Sequence, residues 1–112
     1  MITERRQHPR KALTVAVTLD MDGTIFRGSE CRDISQSGMF IAIRQDVAIN
    51  KEGIVTLTTK CGSELITFRS AFQVVRSVYP GEHHSDKGIG VTFTSMDDAS
   101  NQNLFRILAF SR

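Results

Sequence analysis

Residues 13–23 read LTVAVTLDMDG. Leu13, Val15, Val17, Leu19 and Met21 take the odd positions, with Thr14, Ala16, Thr18 and Asp20 between them. A period of two over this length is a strand with one buried face. Asp22-Gly23 follows at once, a dipeptide suited to the positive φ angles of a tight hairpin, so Thr24 to Arg32 is predicted to return antiparallel. The same alternation recurs downstream. Met39, Ile41 and Ile43 alternate with Phe40, Ala42 and Arg44, and Val55, Leu57 and Thr59 mark a fourth strand beyond the loop Asp46 to Gly53. Cys61-Gly62-Ser63 turns the chain into a long β-branched and aromatic stretch, Glu64 to Val78. The phase of that stretch breaks across Val74-Val75, which predicts a bulge or bend, and Pro80-Gly81 ends it. Ile89, Val91 and Phe93 make the last strand. The period then changes. Leu104, Ile107 and Leu108 fall at helical spacing, with Asp97 or Ser95 as cap, Asp98 in the first turn and Arg112 at the opposite pole of the dipole. The reading is all-β: a small six-stranded antiparallel β-barrel with one C-terminal α-helix over an opening or flank. Its expected divisions are a basic arm at 1–11, a barrel at 12–95 and a helix at 97–111.

Composition bounds the rest. The chain has 112 residues, 40% of them hydrophobic and 23% charged, which suits one folded domain and argues against disorder. No apolar run approaches the ~18 residues of a membrane span, and the charged N-terminus predicts no signal peptide. Cys31 and Cys61 form no CxxC pair and read as reduced thiols packed as small apolar groups, which points to the cytoplasm. His83 and His84 are neighbours in the polar run PGEHHSDKG, where an extended chain would aim them to opposite sides, and His8 is remote. No zinc-like ligand spacing results, so no metal site and no cofactor is expected. No catalytic residue is expected either. A Ser-His-Asp set is missing, and Asp20 and Asp22 are placed to serve a hairpin turn.

Two polar clusters remain. The first is Glu4-Arg5-Arg6-Gln7-His8-Pro9-Arg10-Lys11. It contributes four positive charges against one negative, so a chain of net charge +2 is an almost neutral barrel, summing to −1, behind an arm of +3. Arginine's planar fork suits phosphate and the O6/N7 edge of guanine. Pro9 holds His8 extended and stiffens the segment that presents Arg10, so Arg6 and Arg10 can close on one ligand from two sides. The same run also fits a solvated basic terminus. The second cluster is Arg32-Asp33-Ile34-Ser35-Gln36-Ser37-Gly38, read as the junction between strands two and three. Asp33 and Ser35 would share a face of an extended chain, and Gly38 permits close backbone approach. Together they offer a carboxylate for guanine N–H groups, a hydroxyl, and backbone N–H groups for an anion. Alone, this is equally a good turn.

In combination the clusters are more specific. Arg6 and Arg10 fit RxxxR, and Asp33, Ser35 and Gly38 fit (D/N)xSxxG, in that order and one hairpin apart. The pattern resembles the PilZ domain, the bacterial receptor module for the second messenger cyclic di-GMP, over nearly the whole chain. The segment Gly88-Ile-Gly-Val-Thr-Phe93 resembles the last barrel strand of that family. The resemblance implies that Arg6 and Arg10 grip guanine edges and phosphates, while Asp33, Ser35 and Gly38 form the wall that meets a base. It further implies, from an arginine at position 5, that two ligand molecules bind per chain with Arg5 touching the second. The expected action is a switch without catalysis: ligand orders the arm and alters the surface shown to an effector protein, with the receptor a monomer or homodimer.

Two other classes compete. A PilZ-like protein-interaction module that ignores nucleotide has the same barrel, but such members usually lack motif residues that this chain retains. An OB-like binder of single-stranded nucleic acid would need stacking aromatics and a stronger basic surface, whereas this chain has no Trp and one Tyr, Tyr79. The helix residues Leu104, Phe105, Ile107, Leu108 and Phe110 exceed one narrow apolar face, which leaves room for a partner surface beside barrel packing.

Overall fold

In a computed structural model, residues 10–80 and 87–110 are described. The elements run β1 (Lys11–Met21), β2 (Thr24–Ile34), β3 (Gly38–Ala42), β4 (Glu52–Cys61), β5 (Glu64–Val78), β6 (Gly88–Ser95) and α1 (Asp98–Phe110). The strands close into an antiparallel barrel in the order β1-β2-β3-β6-β5-β4, with β4 pairing back onto β1. The all-β, six-stranded expectation holds. Asp22 and Gly23 adopt φ of 55° and 78° and join Met21 to Thr24, as the dipeptide predicts.

Closing a sheet gives it one dry inner face. Leu19, Ile34, Met39, Ile41, Val55, Leu57, Phe68, Phe72 and Ile89 fill it. Phe93 packs edge-on against Phe68, with centroids 5.1 Å apart. Two strands depart from simple alternation. β2 runs two residues longer than predicted, to Ile34, so Asp33 stands on a strand rather than in a loop. β3 is buried on both faces: Met39 and Ile41 enter the core, and Phe40, 1% exposed, is buried outside it.

The helix seals an edge. β6 pairs with β5 only from Ala71 to Val78, so residues 64–70 of β5 pair with β4 alone. α1 packs against this half of β5 and against β4. There Ser100 Oγ accepts the Arg69 N–H at 3.0 Å, and Asn103 Nδ2 donates to the Thr67 carbonyl at 2.7 Å. Two polar side chains, three residues apart on a helix, thus stand in for a missing strand. Leu104 and Ile107 extend the same face into the barrel core. Asp97 caps the helix, its Oδ1 accepting Ser100 N–H at 2.8 Å. Phe105 and Phe110 stay exposed, the ring of Phe110 lying beside Gly62 in the β4–β5 turn. Among the described residues no helix is long and apolar enough to cross a membrane.

These contacts set two expectations for urea unfolding. Asp97→Ala lowers stability by about 1 kcal/mol through loss of the cap. Ser100→Ala strands the Arg69 amide and costs about 1–3 kcal/mol.

Candidate functional site

The outer face of β2, β3 and β6 is built by register. Along β2, Ser29 and Cys31 point inward, and strict alternation would send residue 33 inward as well. The pairing shifts between Cys31↔Ile41 and Asp33↔Phe40, leaving Arg32 as an extra residue. This bulge turns Asp33 to the outside and restores Ile34, fully buried, to the core. Asp33 then meets Arg10, the last residue before β1. Arg10 Nη1 lies 2.8 Å from Asp33 Oδ1, with 17% and 22% of the two side chains exposed. Arg10 Nε is buried without a hydrogen-bond partner among the described residues, so the guanidinium is held but not saturated.

Beyond Asp33 the chain makes a tight turn organised by one hydroxyl. Ser35 Oγ accepts the N–H groups of Ser37 at 3.2 Å and Gly38 at 3.3 Å, and the Ser35 N–H donates to the Gly38 carbonyl at 2.8 Å. Ser35 is buried, so in this state its hydroxyl works inside the turn instead of sharing an open face with Asp33. Two of the backbone N–H groups that the sequence offers to an anion are likewise engaged by it. Gly38 is required by contact: a Cβ there would lie 2.1 Å from the Val91 carbonyl oxygen. The turn is also tied to β6, since Phe93 N–H and Thr92 Oγ1 both donate to the Ser37 carbonyl.

From Asp33 a row crosses the barrel surface. Asp33 pairs with Phe40, Phe40 with Gly90, and Gly90 with Arg76. The floor has no side chain at Gly88 or Gly90. Phe40 occupies the space over Gly88, and Arg76 Nε, Cγ and Cδ lie over Gly90. The adjoining hollow, of about 250 Å³, is lined by Arg32, Arg44 and Lys87 against Glu30, so the face is net cationic. Arg32 pairs with Glu30 at 3.0 Å, and Lys87 pairs with Asp46.

Of the sequence-predicted site residues, Arg10, Asp33, Ser35 and Gly38 fall within one patch where β1, β2 and β3 meet. Arg5 and Arg6 lie outside the described residues, as do His8, His83, His84 and Arg112. Phe40 and Arg76 were not singled out in the sequence. The signal for Phe40 was an aromatic between two core residues, and for Arg76 a charge placed directly after the broken phase at Val74-Val75.

The profile of the PilZ domain matches residues 4–110. The chain belongs to the PilZ domain family. Solved structures share the barrel of this PilZ domain at low identity. The inhibitor of motility MotI/DgrA of Bacillus subtilis superposes with a TM-score of 0.77 at 12% identity, over 94% of this chain and 49% of that one. This chain therefore spans about half the length of that protein. The PilZ domain of YcgR from Escherichia coli, solved with c-di-GMP, gives 0.67 at 16% identity over 96% and 92% of the two chains. The PilZ domain of CeSA from a cellulose-synthesizing bacterium gives 0.60 at 14% identity over 90% and 95%. No curated protein matches this PilZ domain.

Cys31 sits under the patch, its thiol 3.5 Å from the Asp33 carbonyl. Burial pushes its pKa up to about 12, helped by the negative charges of Asp33 and Glu30 and opposed by Arg10. The ordinary thiol value, 9.0, applies once the chain unfolds. Between those values the unfolded state loses a proton that the folded state keeps, so this group's contribution to stability is complete below pH 9 and declines as pH rises toward 12. Native protein at pH 8 should leave Cys31 unmodified by iodoacetamide, and urea should expose it, as read by mass spectrometry. Gly38→Ala should destabilise the fold by about 1–3 kcal/mol or more, because the obstacle is backbone and cannot swing aside. Thermal unfolding measures this.

Proposed function

We propose that this PilZ domain is a cyclic di-GMP receptor and adaptor of the cytoplasm, working by binding and not by catalysis. The observation that carries this is the Arg10–Asp33 pair, which joins the last arginine of RxxxR to the first residue of (D/N)xSxxG at 2.8 Å. Motifs 23 residues apart in sequence become one patch. The YcgR domain solved with c-di-GMP supports the choice of ligand.

In this reading Arg6 and Arg10 grip guanine edges and phosphates, Asp33 accepts guanine N–H groups, and Ser35 and Gly38 hold the wall to which the base is applied. Arg10 and Asp33 satisfy part of each other's hydrogen-bonding capacity in the free protein. Ligand entry must therefore open or share that pair, and the Arg10 Nε left without a partner is available to an acceptor once the pair rearranges. The arm closes over the bound nucleotide and changes the surface offered to an effector protein. Arg5 contacts a second, stacked ligand, giving two cyclic di-GMP molecules per chain.

Calorimetric titration with cyclic di-GMP tests these roles, with cyclic di-AMP and GTP as controls. Arg6→Ala and Arg10→Ala should each weaken binding about tenfold or more, the loss expected for a bidentate arginine contact. Arg6→Ala should leave the melting temperature of the free protein unchanged. Arg10→Ala should lower stability by about 1–3 kcal/mol, since it takes a hydrogen bond from the mostly covered Asp33 carboxylate. Parent-like affinity in either variant would refute the assignment, and a firm one-to-one endpoint would remove the second ligand and the role of Arg5.

A further inference from the structure

β2 carries a second bulge, nearer the Asp22-Gly23 hairpin. Its pairing with β1 steps from Val17↔Ser29 to Leu19↔Phe26, so Arg27 and Gly28 together face Thr18, and Gly28 takes a φ of 81°. Phe26 packs against the core and Ser29 is buried, which leaves Arg27 exposed on the outer face. Past the end of β3, Ile43 is buried like Ile41, and alternation sends Ala42 and Arg44 outward. Two residues beyond the Glu30↔Ala42 pair, the antiparallel register brings Arg44 level with Gly28. The two arginines line one hollow of about 430 Å³, together with Gly28 and Gln45.

That hollow continues into the one lined by Arg32 and Lys87, since Gly28 and Arg44 border both. From Gly28 to Arg32 the strand spans about 13 Å. Arg27, Arg32, Arg44 and Lys87 stand against Glu30 and Asp46, which gives the strip a net charge of +2. The arm carries +3, so the rest of the chain sums to −3. Cations are thus gathered along one side of a barrel whose remainder is acidic. Among the described residues neither Arg27 nor Arg44 is in an ion pair, whereas Arg32 holds Glu30 and Lys87 holds Asp46. Among the described residues no aromatic side chain lines either hollow.

We infer that this strip is the surface on which the effector protein docks, through an extended acidic segment with carboxylates four residues apart. The inference rests on the adaptor part of the reading above and deepens it by naming the partner's chemistry. In an extended chain residues i and i+4 share a face and lie about 13 Å apart, which matches the step from the Arg27–Arg44 station to the Arg32–Lys87 station. Guanidinium groups hold carboxylates through paired, charge-assisted hydrogen bonds. Arg27 and Arg44 have no carboxylate to give up among the described residues, so the first station fills without breaking an ion pair of the protein. A nucleic acid could lay phosphates along the strip but would find no ring on which to stack a base. A membrane surface would meet no large exposed apolar side chain there to insert.

Fluorescence anisotropy on the full chain, without nucleotide, tests this with a short labelled peptide that has Glu at every fourth position among Ser and Thr. A second peptide of the same composition carries its Glu residues side by side. The spaced peptide should bind more tightly, with an affinity that falls as salt rises. Arg27→Ala/Arg44→Ala should weaken it about tenfold, the loss of two exposed ion pairs, and Lys60→Ala, which removes a cation from β4, by less than about twofold. Both variants should keep the parent's thermal unfolding and, within about threefold, its calorimetric affinity for cyclic di-GMP. Equal losses in the two variants, or equal affinity for the two peptides, reduce the effect to general charge attraction and overturn the inference. Tighter binding to single-stranded DNA or to anionic lipid vesicles that depends on Arg27 and Arg44 overturns the acidic segment as occupant. So does self-association that Arg27→Ala/Arg44→Ala abolishes in sedimentation. A parent that binds cyclic di-GMP but neither peptide overturns this inference alone. One that binds the spaced peptide but not cyclic di-GMP supports it and overturns the ligand part of the receptor reading.

Discussion

A closed sheet divides its residues by parity. Once β4 pairs back onto β1, every strand position faces either the packed interior or the outer surface, and a shift of one residue exchanges the two. That constraint explains why the core of this small domain is so regular, with Leu19, Leu57 and Phe68 all fully buried. It also explains where regularity fails. A polar group needed outside can sit on an otherwise inward phase only if the strand gains a residue. The bulges at Arg32 and Val75 do this for Asp33 and Arg76, while their neighbours Ile34 and Val74 remain in the core.

The outer face depends equally on what is left out. Gly38, Gly88 and Gly90 all stand on strands, at the start of β3 and along β6. Each clears space for a named atom: the Val91 carbonyl, the Phe40 ring and the Arg76 side chain. Phe40 is buried although it lies outside the barrel core, so this surface has a small packed layer of its own. A surface of that kind is already shaped before a ligand arrives, which reduces the ordering cost of binding. The Arg10–Asp33 pair adds an electrostatic element to it. Both side chains are mostly covered, so their charges are less screened than those of a free surface pair, and the pair marks where the basic arm joins the barrel.

Much of the molecule was legible in its residues. The hairpin at Asp22-Gly23, the six strands, the irregularity at Val74-Val75 and the Asp97 cap follow from local chemistry: φ preferences, side-chain period and capping. Both motifs were visible as spacing. The reach of β2 to Ile34 was not, because Asp33 interrupts the apolar pattern and only cross-strand pairing shows that the strand continues through a bulge. The double burial of β3 escaped for a similar reason. Alternation assigns Phe40 to solvent, and nothing in a single strand reveals that Gly88 on β6 leaves it a seat. The edge-sealing roles of Ser100 and Asn103 depend on where β6 stops pairing with β5, a property of two strands and a helix together.

By itself, then, the sequence determined the element types, the turn positions, the apolar core set and the membership of the motif residues in a recognisable pattern, since each of these is a matter of near-neighbour chemistry. The tertiary structure decided which face each polar residue occupies, that Arg10 meets Asp33, that the Ser35 hydroxyl is spent on its own turn, and that Asp33, Phe40, Gly90 and Arg76 form one row. Those are facts of register between strands distant in the chain. Register is set by closing the barrel around its core, and no local stretch of residues carries that information.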